Sequence, residues 1–174
     1  MKKLVLTLAI VFAGIMSANA QVWIGGGLGT SIQKGSTMIE LAPEVGYAIN
    51  NQWQVALGVD YAMATGGGST ANYLYLQPYV RYVGGTIGHK FSLFVDLTGD
   101  FSLLDAPKGH YAVMLQPGIA WQATEKFTAA FRFAKIGYDH GIYGTDGFLM
   151  EGALATSRIG IYYNFSAVFQ FDDL

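Results

Sequence analysis

Large apolar residues alternate with small or polar residues along most of this chain, and this period of two constrains the fold more than any other feature. Between Ile39 and Ile49 the odd positions carry apolar or aromatic side chains, while the even positions carry Gly, Ala and Glu. The pattern resumes from Trp53 to Met63, after the dipeptide Asn50-Asn51. Such alternation is typical of β-strands with two chemically different faces, and Asn-Asn is typical of a tight turn. The sequence therefore predicts a β-hairpin here.

The same alternation recurs eight times and predicts an all-β fold of eight antiparallel strands. The predicted strands cover about residues 22–32, 38–49, 52–64, 72–83, 90–103, 110–122, 126–135 and 157–171. Three of them share a related segment in which Pro43, Pro78 and Pro117 occupy equivalent places, 35 and 39 residues apart. Proline removes a hydrogen-bond donor and normally avoids central strands, so we expect bulges or bends at these prolines. The longest predicted connection runs from about residue 136 to residue 156.

The two faces of these strands fit a barrel that is polar inside and apolar outside. Only 13% of the residues are charged, whereas a soluble domain averages about 25%. The more polar face consists mainly of Gly, Ala, Ser, Thr and Gln, which suits the narrow interior of an eight-stranded barrel better than a water-exposed surface. The alternative is a soluble ligand-binding barrel, which would have the same alternation with its apolar face inward.

Aromatic residues at the ends of the apolar face favour the membrane alternative. They form two predicted girdles, one with Tyr47, Trp53, Tyr82, Phe91, Trp121 and Phe127, and the other with Tyr61, Phe101, Tyr111 and Phe133. Aromatic girdles mark the two interfaces of a bilayer. The predicted strands are also long enough for the roughly 9–11 residues that a tilted strand needs to cross a bilayer, where only a closed barrel satisfies every backbone group. We therefore expect an eight-stranded antiparallel up-and-down transmembrane β-barrel.

The first twenty residues have the pattern of a cleavable signal peptide. Met1-Lys2-Lys3 is basic, residues 4–16 are almost entirely apolar, and Ser17-Ala18-Asn19-Ala20 ends in small residues. This pattern predicts export and removal of residues 1–20, which leaves residues 21–174 as the barrel domain. Cleavage would remove two of the ten basic residues and leave eight against twelve acidic ones. A retained N-terminal anchor is the alternative.

Taken together, the signal peptide, the eight alternating strands, the repeated Leu-x-Pro segments and the aromatic-rich last strand resemble a known family. The chain is similar to the small outer-membrane β-barrel proteins of Gram-negative bacteria, the OmpA-barrel and OmpX-like group. The resemblance covers essentially all of residues 21–174, and it rests on pattern rather than on an exclusive motif. It implies a bacterial outer-membrane location and a role in membrane integrity, adhesion or surface interaction, with outer-membrane lipid as the first partner. We expect a monomer.

Charged residues on the inward face are the first candidate functional group. They are Glu40, Glu44, Asp60, Arg81, Lys90, Asp96, Asp100, Arg132 and Arg158. Buried charges must be paired, so we interpret them as a salt-bridged plug that fixes the register of the strands. The alternative is a gate or a narrow ion path in a porin-like barrel. Eight-stranded barrels are generally filled by their own side chains, whereas aqueous channels occur at about 16 strands, so we expect no open pore.

The predicted long outer connection supplies the candidate contact residues for an extracellular ligand or protein. They are Tyr138, Asp139, His140, Tyr143 and Phe148. A flexible exposed loop is the plainer alternative, because binding residues and mobile residues both concentrate in such connections.

Signals for enzymatic activity, cofactors and metals are weak. A lipid-modifying outer-membrane enzyme would need a histidine beside a serine and an acid, and the adjacent pair Asp139-His140 is the best candidate for a general base. None of the three histidines has a serine two positions away, and the chain has no cysteine. With 10 basic and 12 acidic residues the chain also lacks the positive surplus of a nucleic-acid-binding protein. We therefore predict a non-enzymatic protein without cofactor, metal or nucleic acid.

Overall fold

A computed structural model describes residues 21–33, 36–104, 109–152 and 158–164. The predicted signal peptide and the predicted extension of the last strand beyond residue 164 lie outside these ranges. The described residues form ten strands: β1 (Gln21–Gln33), β2 (Ser36–Ala48), β3 (Trp53–Gly66), β4 (Ser69–Ile87), β5 (Phe91–Leu104), β6 (Tyr111–Gln122), β7 (Phe127–Arg132), β8 (Ala134–His140), β9 (Asp146–Gly152) and β10 (Arg158–Asn164). In this part of the chain no helix is long and apolar enough to cross a membrane.

Antiparallel pairing closes these strands into a barrel. Each strand from β1 to β6 pairs with the next, and β6 pairs with both β7 and β8. Strand β9 pairs with β8, and β10 pairs with β7 on one side and with β1 on the other. Strands β7 and β8 therefore share one position in the barrel, and β9 and β10 share another. The predicted eight-stranded antiparallel barrel is confirmed.

The two faces of the barrel have the predicted chemistry. In β5 the outward residues Phe91, Leu93, Val95 and Leu97 are exposed, while the inward Ser92, Phe94, Asp96, Thr98 and Asp100 are buried. In β3 the outward Leu57 is 41% exposed. The outside of the barrel is thus apolar, and the inside holds the buried charged and polar side chains together with aromatic rings, which contradicts the alternative of a soluble barrel whose apolar face points inward.

A bulge interrupts the seventh barrel strand beside one of the repeated prolines. Gly118 pairs with Arg132 and Leu115 pairs with Ile136, so the β7–β8 segment contains one residue more than β6 over the same distance. The extra residue is at Phe133, whose backbone N–H donates to the Pro117 carbonyl at 3.0 Å. Because a bulge shifts the side-chain alternation by one position, inward residues are even-numbered in β7 and odd-numbered in β8.

Of the bulges or bends expected at the three prolines, no bulge forms at Pro43 or Pro78. Leu41 pairs with Tyr61 and Glu44 pairs with Gly58, so β2 and β3 stay in register across Pro43. Leu76 pairs with Phe101 and Tyr79 pairs with Thr98, so β4 and β5 stay in register across Pro78. The register shifts of β4 instead lie nearer its two ends, between Leu74 and Tyr75 and between Val83 and Gly85.

The long connection predicted from residue 136 to residue 156 is also wrong. Strand β8 continues to His140, and β9 begins at Asp146, so only residues 141–145 connect them. Gly141 and Gly144 both adopt a φ of 81°, a left-handed conformation that glycine reaches without steric cost and that allows this tight turn. The bulge at Phe133 explains the error, because it reverses the phase of the alternation from which the strand was predicted.

Candidate functional site in the barrel lumen

One carboxylate joins two arginines in the half of the lumen nearer to Gln21 and Asn164, which we call the near half. Arg81 donates from Nε to Oδ1 of Asp96 at 2.7 Å and from Nη2 to Oδ2 at 2.9 Å. Arg132 donates from Nε to Oδ2 of the same carboxylate at 2.7 Å. All three side chains are buried. Charge-assisted bonds of this kind are the strongest hydrogen bonds in proteins, so Asp96 ties β4, β5 and β7 together.

The second positive charge of this group is balanced by a further carboxylate and by aromatic rings. Glu44 is buried and interacts electrostatically with Arg132 and with the tyrosines at positions 79 and 162. The guanidinium carbon of Arg81 lies 4.0 Å from the ring centroid of Phe94, and that of Arg132 lies 5.3 Å from the ring centroid of Tyr79. Cation–π contacts are more favourable in such dry surroundings.

Aromatic side chains seated on glycines fill the rest of the near half. The rings of Trp23 and Tyr162 meet edge to face with centroids 5.0 Å apart. A Cβ at Gly46 would overlap the Trp23 ring, and a Cβ at Gly118 would overlap the Phe94 ring. Glycine at these inward positions therefore makes room for large rings. We call the group of Arg81, Asp96, Arg132, Trp23, Tyr79, Phe94 and Tyr162 the arginine–aromatic cluster.

The other half of the lumen, which we call the far half, is acidic. Asp100 is fully buried and accepts hydrogen bonds from Gln77 Nε2 at 2.9 Å and from the Tyr143 hydroxyl at 2.6 Å. Lys135 donates to the same tyrosine hydroxyl at 3.2 Å and lies 4.2 Å from the centroid of its ring. The acidic residues of this half are Glu40, Asp60, Asp100, Asp139 and Glu151. Among the side chains that the structure describes there, Lys135 is the single base.

Seven of the nine predicted lumen residues lie in the barrel interior, and the other two are Lys90 and Arg158. Lys90 is exposed in the turn between β4 and β5, so its assignment to the lumen is wrong. Arg158 begins β10, and its side chain lies outside the described part of the structure. The error at Lys90 arises because the predicted strand began one residue too early, inside the turn.

Asp139 and Tyr143 were predicted as outer contact residues, and both assignments are wrong. Asp139 is fully buried and accepts hydrogen bonds from the backbone N–H groups of Ile142 at 2.9 Å, Tyr143 at 3.1 Å and Thr145 at 3.0 Å. It therefore shapes the β8–β9 turn from within. This turn directs Tyr143 into the lumen, where it bonds to Asp100.

The other three predicted contact residues lie on strands rather than in a long loop. Tyr138 faces outward in β8 with its ring centroid 6.3 Å from that of Tyr111, so it extends the aromatic girdle. His140 ends β8 and bonds through Nδ1 to Asp146 at 2.8 Å, so the candidate general-base pair with Asp139 is not formed. Phe148 belongs to β9 and is 74% exposed.

The ten predicted girdle residues are all on the outer surface, each between 37% and 47% exposed. Phe133 lies at the bulge beside Pro117, however, so its predicted place at the rim with Tyr61 and Tyr111 is wrong. Trp53 and Tyr82 contact each other near one end of the barrel with centroids 4.9 Å apart. At the other end the Tyr61 hydroxyl donates to Asn72 Oδ1 at 2.9 Å.

Sequence reasoning missed several lumen residues, some of which left a signal. Trp23, Tyr79 and Tyr162 each lie an even number of positions from a residue assigned to the inward face of the same strand. The alternation alone could therefore have identified them. Lys135 and Glu151 could not be found in this way, because they follow the bulge at Phe133. No group of three or more His, Asp or Glu side chains in the described ranges is arranged to hold a metal ion.

No family model and no curated protein matches this chain. Solved structures do match it. The Yersinia pestis outer membrane protein Ail, determined in a phospholipid bilayer nanodisc, has a TM-score of 0.54 at 13% identity, over 84% of this chain and 99% of that chain. The N-terminal β-barrel domain of Pseudomonas aeruginosa OprF has a TM-score of 0.48 at 18% identity, again over 84% and 99%. At this identity the similarity to Ail shows a shared fold.

Proposed function

We propose that this chain is a small outer-membrane β-barrel protein whose apolar outer face contacts lipid and whose lumen is filled by its own side chains. The observation that carries the proposal is that apolar side chains are outside and charged side chains inside, the reverse of a soluble protein. Leu57, Leu93 and Leu97 are exposed, while Asp96 and Asp100 are fully buried. A soluble monomer rarely exposes a continuous apolar patch larger than a few hundred Å². In a bilayer these side chains contact lipid tails instead of water, so their exposure is not unfavourable. The shared fold with Ail, an outer membrane protein, supports the same location.

The orientation follows from the ends of the barrel. Barrels with an even number of strands keep both termini on the periplasmic side, so the near half would face the periplasm and the far half the outside. The exposed aromatic residues at both ends suit the two lipid–water interfaces. Residues 1–20 would supply the cleavable export signal.

The role that fits this architecture best is structural or surface-interacting rather than enzymatic. The arginine–aromatic cluster blocks the near half, and residues 141–145 alone connect β8 to β9 at the outer end. Of the predicted contact residues, Tyr138, His140 and Phe148 remain accessible there. We infer a monomer that contacts outer-membrane lipid along its length and an extracellular ligand or protein at the β8–β9 hairpin.

A narrow cation channel is the second candidate function, and the acidic far half is the observation that favours it. Five carboxylates near one lysine would concentrate cations at the outer mouth. Two arginines and four aromatic rings then obstruct the path. Planar-bilayer recordings of the purified protein are expected to show no conductance steps, and reproducible cation-selective steps would favour the channel instead.

Cell fractionation combined with gel migration tests the proposal. The protein is expected in the outer-membrane fraction, and its mobility without boiling is expected to differ from that after boiling, because a closed barrel in detergent resists unfolding. Recovery of a folded protein in the soluble fraction, without detergent, would contradict the proposal.

A further inference from the structure

Two of the three histidines of the chain lie side by side at the far end of the barrel. His110 immediately precedes β6, and His140 is the last residue of β8, where it pairs with Tyr111. The two imidazole ring centroids are 5.8 Å apart, with an angle of 66° between the ring planes. The site lies outside both the arginine–aromatic cluster and the acidic far half, and the function proposed above does not use it.

A carboxylate orients one of these imidazoles. His140 Nδ1 is 2.8 Å from Asp146 Oδ1 across the β8–β9 hairpin. When Nδ1 donates to the carboxylate, Nε2 of the neutral ring carries the free lone pair. Histidines that bind metals almost always hold their second nitrogen on a carboxylate, a carbonyl or a water in this way.

The other imidazole is held against the backbone and has an unused nitrogen. Nδ1 of His110 is buried and has no hydrogen-bond partner within the described residues. A Cβ at Gly141 would lie 2.6 Å from that nitrogen, so the ring packs directly on the hairpin backbone. A buried nitrogen without a partner is uncommon and calls for a proton donor, a water or an ion.

The distance between the rings suits a shared metal ion. A metal about 2.0–2.1 Å from one nitrogen of each ring separates two imidazole centroids by roughly 5–6 Å, and the observed separation is 5.8 Å. Imidazole ligands suit Ni²⁺, Cu²⁺ and Zn²⁺ and do not suit Ca²⁺ or Mg²⁺. We propose that His110 and His140 bind a divalent transition-metal ion at the far rim of the barrel, with water completing its coordination and Asp146 orienting His140.

Titration of the refolded protein, purified without a histidine tag, with Ni²⁺ tests this proposal. Isothermal calorimetry in detergent micelles is expected to show one saturable site, with at least a tenfold loss of affinity in His110→Ala and in His140→Ala. Asp146→Asn is expected to weaken binding about tenfold, the lower end of the usual effect of an outer-shell carboxylate. Binding should also weaken as the pH falls, because protons compete for the same nitrogens.

The third histidine provides the matched control. His89 lies in the turn between β4 and β5 at the opposite end of the barrel, so His89→Ala should bind Ni²⁺ like the unaltered chain. Ca²⁺ should not compete, which separates an imidazole site from binding by lumen carboxylates. Equal affinity in the unaltered chain and in the variants at His110 and His140 would overturn the proposal, as would an equal loss in His89→Ala.

An NMR measurement on the unaltered chain keeps the proposal falsifiable if a variant fails to fold. Paramagnetic Ni²⁺ is expected to broaden the imidazole signals of His110 and His140 at concentrations that leave His89 sharp. Uniform broadening of all three, or of His89 first, would contradict the assignment.

Discussion

The two halves of the lumen bury charge in different ways. In the near half, two guanidinium groups and two carboxylates are packed among aromatic rings, with Asp96 held by both arginines. In the far half, carboxylates outnumber the single lysine, and Asp100 is satisfied by an amide and a hydroxyl rather than by an opposite charge. Removing one member of a buried ion pair leaves its partner with an unpaired charge away from water, which destabilises the fold. Removing one carboxylate from an acidic region held by neutral hydrogen-bond donors leaves no such unpaired charge. The near half should therefore hold the barrel together.

The largest expected effect is at Asp96. Replacing it with Asn removes the negative charge shared by Arg81 and Arg132, and breaking a buried ion pair from one side costs roughly 3–5 kcal/mol in the free energy of unfolding. Asp100→Asn is the matched control in the far half, because it removes a charge from an acidic region and should cost clearly less. Urea unfolding of both variants in lipid vesicles measures the difference. A cost at Asp100 equal to that at Asp96 would remove the distinction between the halves.

A charge on the outer face is expected to destabilise the barrel in both halves, because that face meets lipid along the whole barrel. Leu57→Arg places a charge on the lipid side of β3 and should destabilise the barrel by about 2–4 kcal/mol if the residue meets the centre of the bilayer. The neighbouring Ala56→Ser faces the lumen and should have a much smaller effect. Unfolding in vesicles is again the measurement, and equal tolerance at the two positions would contradict the assignment of the faces.

Packing in the near half gives a smaller effect. Gly46→Ala introduces a Cβ into the Trp23 ring, and overpacking of this kind typically costs about 1–3 kcal/mol. Gly152 in β9 has open space where a Cβ would be, so Gly152→Ala is the control. Thermal unfolding in detergent should separate the two variants. Similar midpoints would indicate that the near half is loosely filled.

The smallest expected effect is at the exposed rim of the far half. The hydrogen bond from His140 lowers the pKa of the Asp146 carboxyl below its ordinary value. A lowered pKa in the folded state adds stability that is present at neutral pH and lost as the pH falls through the folded-state value. Because the Asp146 side chain is 71% exposed, this lowered pKa should alter the free energy of unfolding only slightly. NMR titration should show a low midpoint for Asp146 that rises in His140→Ala, and an unchanged midpoint would contradict the pairing.

The strands without a bulge could be predicted from the sequence, because inward and outward positions alternate along them without interruption. The sixth strand was predicted at residues 110–122 and is observed at Tyr111–Gln122. The hairpin after Phe133 could not be predicted, since one extra residue exchanges the inward and outward positions and makes two strands resemble a loop.

The alternation also places Asp96, Arg81 and Arg132 in the lumen, but it does not show that the three side chains contact one another. Arg81 is directly opposite Asp96 across the β4–β5 pair. Arg132 is on β7 and must reach past β6, where its paired residue is Gly118. That contact depends on the register of two strand pairs, β5–β6 and β6–β7, which no local pattern specifies.

Fluorescence quenching by lipid tests the central claim most directly. The chain has three tryptophans, of which Trp23 is 2% exposed inside the barrel, while Trp53 and Trp121 are 43% and 46% exposed on its outer face. Variants that retain one tryptophan each, reconstituted with brominated phospholipids, should show strong quenching for the two outer residues and little for Trp23. Strong quenching of Trp23, or none of Trp53 and Trp121, would contradict a barrel whose apolar face meets the membrane.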